Sequence, residues 1–146
     1  MARQSKNPKV RAKPSPKKVP RIVERPSPGA GPFSWRFGWA DRDGDWAWSG
    51  LIKSGRLTEV VHRLRDLEGK NAAQLRQTGS HPISPDDWIR GAQQRLAVIG
   101  RDEYDEYWSL RITGECRAWA IPVDNVMHVL WWDPGHEICP SQLKHT

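Results

Sequence analysis

Apolar and polar residues change rhythm along this chain, and each change marks an element. Phe33, Trp35 and Phe37 alternate with Ser34 and Arg36, which predicts a first strand. Asp41-Arg42-Asp43-Gly44-Asp45 predicts a polar turn, after which Trp46 and Trp48 fall on one side of an extended piece. From 55 to 68 the rhythm becomes helical, with Leu57, Val60, Val61, Leu64 and Leu67 on one face. Ser54 stands where an N-cap belongs, and Gly69 where a left-handed residue closes a helix. Residues 72–77 add a short helical turn. A second long helix is predicted over 85–99, with Ser84 as N-cap, Pro85 at the first position and Asp87 in a capping box. Trp88, Ala92, Leu96 and Ile99 form its apolar stripe, and Gly100 ends it.

Three strands follow, over 107–113, 116–121 and 126–132. Gly114-Glu115 reads as a tight hairpin turn, Asp124-Asn125 as a second turn, and Asp133-Pro134-Gly135 as a break before a short last segment at 136–139. The order β-α-α-β-β-β predicts an α+β domain, an antiparallel sheet packed on two helices. A two-residue turn at Gly114-Glu115 pairs Ile112 with Arg117, Arg111 with Ala118, and Leu110 with Trp119. One face then carries Trp108, Leu110, Ile112, Trp119 and Ile121 under the helices. The other carries Tyr107, Ser109, Arg111, Thr113, Cys116, Ala118 and Ala120, a small polar face open to an extended ligand. Arg117 falls at the hairpin end of the apolar side. The turn at 124–125 leaves two registers for the last strand: two turn residues put Trp131 and Val129 with Arg111 and His128 with Ile121, and three reverse this.

Charge divides the 146 residues in two. Residues 1–32 hold nine basic residues, one acid and seven of the twelve prolines, so they cannot bury enough surface to fold. They read as a disordered basic tail whose Lys9, Arg11, Lys13, Lys17, Lys18 and Arg21 would be drawn to nucleic-acid phosphates, or as a solubilising linker. Residues 33–146 hold all nine tryptophans and a small excess of acid, and form the domain. No apolar run approaches the roughly 18 residues of a membrane span. The basic start lacks the apolar core of a secretory signal, and Cys116 and Cys139 are too few for a disulfide framework, so a cytoplasmic location is expected.

Arg111 and Arg117 can clamp a phosphate and stabilise developing charge, or serve as surface and edge arginines. His136, after the Pro-Gly break, can act as an acid or base near neutral pH, or simply lie in a loop. His128, His136, Cys139 and His145 lack the paired spacing of a zinc site, and Asp41, Asp43 and Asp45 depart from a calcium loop, so no metal is expected. Trp131, with Trp119 and Trp132, can stack on bases or pack in the core.

Two stretches carry a resemblance. Residues 110–119, Leu-Arg-Ile-Thr-Gly-Glu-Cys-Arg-Ala-Trp, resemble the hairpin of the RelE/ParE-type bacterial toxin superfamily, in which an apolar-Arg-apolar strand turns at Gly and an Arg follows. Val126–Leu130 followed by His136-Glu137-Ile138-Cys139 is similar to that family's end, where a strand leads to a His. The matched segments span residues 107–139 and suggest a divergent bacterial or phage branch. The resemblance implies a concave sheet face that meets mRNA, often on the ribosome, and cleavage without metal or other cofactor by attack of the ribose 2′-hydroxyl. It implies that Arg117 holds the scissile phosphate, Arg111 assists, and His136 is the acid or base. It also implies an antitoxin protein as partner. Cys139 stands where the family commonly has Tyr, the link before His136 is longer than usual, and the Trp46–Trp48 region is inserted. The alternative expectation is a non-enzymatic nucleic-acid- or protein-binding module on the same fold, with affinity from the tail; some members of the superfamily instead act on DNA gyrase.

Overall fold

A computed structural model describes residues 30–140. Residues 1–29 of the expected tail, with its six basic contact residues, and His145 lie outside the described residues. The domain is α+β, with a mostly antiparallel five-stranded sheet and four α-helices. Its elements are β1 (Ser34–Arg36), α1 (Trp48–Ser54), α2 (Leu57–Leu67), α3 (Ala72–Gln77), β2 (His81–Pro82), a single 3₁₀ turn (Pro85–Asp87), α4 (Arg90–Val98), β3 (Trp108–Arg111), β4 (Arg117–Val123) and β5 (Val126–Asp133). The sheet order is β1-β5-β4-β3-β2, with β1 parallel to β5 and every other pair antiparallel.

Both faces of the sheet are covered. On one, Leu51 of α1, Val60, Leu64 and Leu67 of α2, and Leu75 of α3 pack on Trp108, Leu110, Ala118, Ala120, Met127 and Trp132. The alanines let the helices approach the sheet closely, as dense interior packing requires. On the other, Trp46, Trp88, Ala92, Leu96 and Ile138 pack on Tyr107, Trp119, Ile121, Leu130 and Trp131. Trp88 sits at the centre of this layer, 5.0 Å from the Trp119 ring, 5.1 Å from Tyr107 and 5.8 Å from Trp131.

Several local expectations are corrected. Residues 48–54 are helical rather than extended, because Trp48, Leu51 and Ile52 form a stripe of their own. Trp46 and Trp48 therefore part, one to each layer. Ser54 ends α1, its hydroxyl bonding Leu51 O at 2.6 Å, and Gly55 turns left-handed behind it. The expected helix over 85–99 is two pieces. Trp88 and Ile89 are extended, since burying Trp88 draws the chain out of the helical path, and the Gln93 side chain donates to the carbonyls of Pro85 (2.8 Å) and Trp88 (3.1 Å). Residues 136–139 form no strand.

The β3–β4 hairpin is also slipped by one residue. Arg111 pairs with Arg117, Leu110 with Ala118, and Ser109 with Trp119. The loop is longer than two residues because Cys116 O accepts from both Ile112 N and Thr113 N. Trp119 and Ile121 thus leave the face of Leu110 for that of Ser109, and the expected open polar face is roofed by the aromatic layer. At β4–β5 the two-residue turn holds, with Val123 opposite Val126 and Ile121 opposite His128. A bulge between Trp119 and Ala120 then moves Val129 away from Arg111's side while Trp131 stays on it.

Candidate functional site

Arg111, Arg117 and Asp133 form one row across β3, β4 and β5, at the end of the sheet nearest the hairpin loop. Directly paired residues share a face, so this row lies on the side of the aromatic layer. Arg117 is almost fully buried at 9% exposure, and its Nη1 donates to the carbonyls of Thr113 (2.9 Å), Gly114 (3.1 Å) and Cys116 (3.2 Å). It thereby ties the hairpin loop to its own strand. Burial, and then Arg111 alongside, weaken its hold on its proton; Cys116 and Asp133 oppose this. A guanidinium remains charged even so, and it forms no ion pair among the described residues. Arg111 is exposed. Its side chain lies over Gly79, whose left-handed backbone (φ +87°) brings the chain so close that a Cβ there would sit 2.8 Å from Arg111 Cδ. Arg63 reaches the same hairpin from α2, donating to Arg111 O at 3.0 Å.

Asp133 is fully buried and organises the loop behind it. One oxygen accepts from Glu137 N at 2.8 Å; the other accepts from Ile138 N at 3.1 Å and Trp119 Nε1 at 3.2 Å. Between these anchors His136 is held left-handed at φ 54°, a conformation that costs a non-glycine residue about 1–2 kcal/mol. Burial, then the positive charge of Arg117 and a contribution from His81, hold the His136 imidazole below its ordinary proton affinity, with Asp133 opposing. The neutral ring therefore predominates at pH 7.

An open cleft of about 560 Å³ is lined by His81, Ile83, Asp86, Asp87, His136, Cys139 and Pro140. His81 enters it from β2, the short edge strand, where it pairs with Ser109. Ser109 Oγ is buried and has no hydrogen-bond partner among the described residues. Burial pushes the Cys139 thiol up, away from the thiolate form a nucleophile needs.

Of the candidate residues, Arg111 and Arg117 pair across the hairpin, and Arg117 lies near enough for its charge to act on the His136 ring. The structure does not bring Trp131 to them as a stacking surface. Trp131 is fully buried and its Nε1 donates to Asp41 at 2.9 Å, so its role is in the core; Trp119 is buried likewise, and Trp132, almost fully buried, donates to Cys116 Sγ at 3.1 Å. Asp41 is held by Arg95 at 2.7 and 2.8 Å. Among the described residues no group of three or more His, Cys, Asp or Glu could hold a metal ion, and no helix is long and apolar enough to cross a membrane. Two residues beside this cleft are ones the sequence does not mark as functional. His81 lies in a polar stretch with no periodicity, and Asp133 looked like a strand breaker. No family model, curated protein or solved structure matches the chain.

Proposed function

We propose that the protein is a RelE-like endoribonuclease toxin that cleaves mRNA without a metal, by attack of the ribose 2′-hydroxyl on the neighbouring phosphate. One observation carries the reading: two arginines stand directly opposite each other, neither in an ion pair among the described residues, with a neutral histidine beside the second. A phosphodiester is the ligand such a pair suits, because paired guanidinium donors match the equatorial oxygens of a phosphorane. A neutral imidazole suits removal of the 2′-hydroxyl proton. On this reading the substrate is mRNA, free or on the ribosome, in the cytoplasm, and a cognate antitoxin protein restrains the enzyme.

The alternative is a binding module on the same fold. The burial of Arg117 and its three carbonyl partners favour it, since a guanidinium so engaged is a hairpin brace first. Controlled expression in bacteria separates the two. The nuclease reading expects growth arrest and new RNA ends bearing 2′,3′-cyclic phosphate, both lost in Arg117→Gln and His136→Ala proteins that keep the wild-type circular dichroism spectrum. Normal growth with a soluble, folded wild type would sink the nuclease reading. Binding of RNA that survives both substitutions would then support the module.

A further inference from the structure

Cleavage by a 2′-hydroxyl needs two proton transfers, one at the nucleophile and one at the leaving oxygen, and a single histidine cannot serve both in one step. We propose that His81 is the second proton-transfer residue of this site, acting as general acid to His136's general base. This rests on the ribonuclease reading above.

Three observations place His81 there. It lines the same cleft as His136. It stands near enough that its charge bears on the His136 ring. Its pairing with Ser109 sets it diagonally next to Arg111, two residues further along β3, on the face that carries Arg117. The ring is also oriented: Nδ1 lies 3.4 Å from Pro82 O, which leaves Nε2 as the end turned away from its own backbone. Its own exposure gives a substrate free access. The two histidines come to this cleft from different elements, His81 from the edge strand β2 and His136 from the loop after β5.

His136 takes the proton of the 2′-hydroxyl while the O2′–P bond forms. The P–O5′ bond breaks, its electron pair stays on O5′, and O5′ takes a proton from His81. The products are a 2′,3′-cyclic phosphate and a free 5′-hydroxyl. His136 ends protonated and His81 neutral, and exchange with water restores both. Arg111 and Arg117 hold the non-bridging oxygens throughout.

A change of leaving group tests the assignment. The four nucleoside 3′-(4-nitrophenyl phosphates) undergo the same attack but expel 4-nitrophenolate, which needs no proton at neutral pH. Wild-type, His81→Ala and His136→Ala proteins are compared on an RNA oligonucleotide and on these esters, with folding checked by thermal melting. His81→Ala should lose at least about 100-fold on RNA and far less, about threefold, on the ester; His136→Ala should lose at least about 100-fold on both. Equal losses of His81→Ala on the two substrates would overturn the assignment, because that marks a residue that binds phosphate rather than one that donates a proton. So would wild-type rates of His81→Ala on RNA. A wild type inert on every substrate would overturn the ribonuclease reading itself, and this assignment with it.

Discussion

The two faces of the sheet are buried by different chemistry. Under α1–α3 the buried helix residues are leucine and valine, packed over Phe33, Trp108, Trp132, Ala118, Ala120 and Met127, and none of the buried carboxylates lies in this layer. Under α4 and the segment after β5 the layer is aromatic, and both buried carboxylates of the described residues bond into it, Asp41 to Trp131 and Asp133 to Trp119. Hydrophobic burial has no direction, so the aliphatic face supplies stability without fixing any functional atom. Hydrogen bonds to buried carboxylates are directional and charge-assisted, and each lost partner leaves a donor stranded. The aromatic face can therefore hold a strained histidine in place, and every residue of the candidate site lies on its side or at its rim.

That contrast is broken most severely at Asp133. Asp133→Ala strands Trp119 Nε1 and the Ile138 amide in a buried setting, and frees the half-buried Glu137 amide. A loss of about 4 kcal/mol is expected in urea unfolding at pH 7. The His136 loop should lose its fixed conformation as well, seen as increased amide exchange at 136–138 in whatever folded fraction remains. A stable variant with an unchanged loop would show that packing alone positions His136.

Leu64→Ala is the matching cut in the aliphatic face. Leu64 is buried at the centre of α2, and its loss should cost about 3 kcal/mol in the same unfolding experiment. The two variants should differ in kind more than in size. Leu64→Ala should leave the His136 and His81 resonances of the folded protein where they are, while Asp133→Ala moves them. Equal disturbance of the histidines by both would erase the distinction between a stabilising face and a positioning face.

The same contrast explains what the sequence disclosed. α2 was legible because its aliphatic stripe runs over three turns, and Gly69 closes it left-handed as expected. Arg111, Arg117 and His136 stand out as candidates because each lies beside a turn signal, Gly114 or Pro134-Gly135. The aromatic face was not, for local reasons. Nothing in the spacing of Trp88 says that its burial will pull residues 88–89 out of a helix. A tight-turn signal at Gly114-Glu115 could not reveal a loop wide enough to slip the register by one. That slip moved Trp119 to the other face and closed over the surface expected to be open. β2 is two residues long, so it has no period to detect, and His81 was lost with it. Asp133 carries only a chain-break signal in the sequence, because its partners are the loop amides behind it and the Trp119 indole across the β4–β5 pair.

The smallest effect is the pH dependence of stability between pH 7 and 5, and it should arise on the aromatic side. His136 and His128 both titrate below the ordinary histidine value of 6.5. For His128 the cause is burial, then the charges of Arg36 and Arg101, with its ring stacked 3.6 Å from Trp39. In the unfolded chain both rings regain their ordinary affinity, so just below pH 6.5 the unfolded state binds protons that the folded state refuses. Stability is then fully present above that value and falls as the pH drops toward the folded-state values. Asp41 follows at lower pH: burial works against its charge, but hydrogen bonds from Arg95, Trp131 and Asp43 outweigh this and hold it below the usual carboxylate range. Its contribution is lost only as the pH falls below about 4. Urea unfolding at pH 7.5 and 5.5 should therefore show a less stable protein at the lower pH. In a His128→Gln, His136→Gln double variant that difference should shrink, whereas Leu64→Ala should lower stability at both pH values and leave the difference intact. A pH slope that persists in the double variant would place the responsible protons elsewhere and remove the electrostatic half of the contrast between the faces.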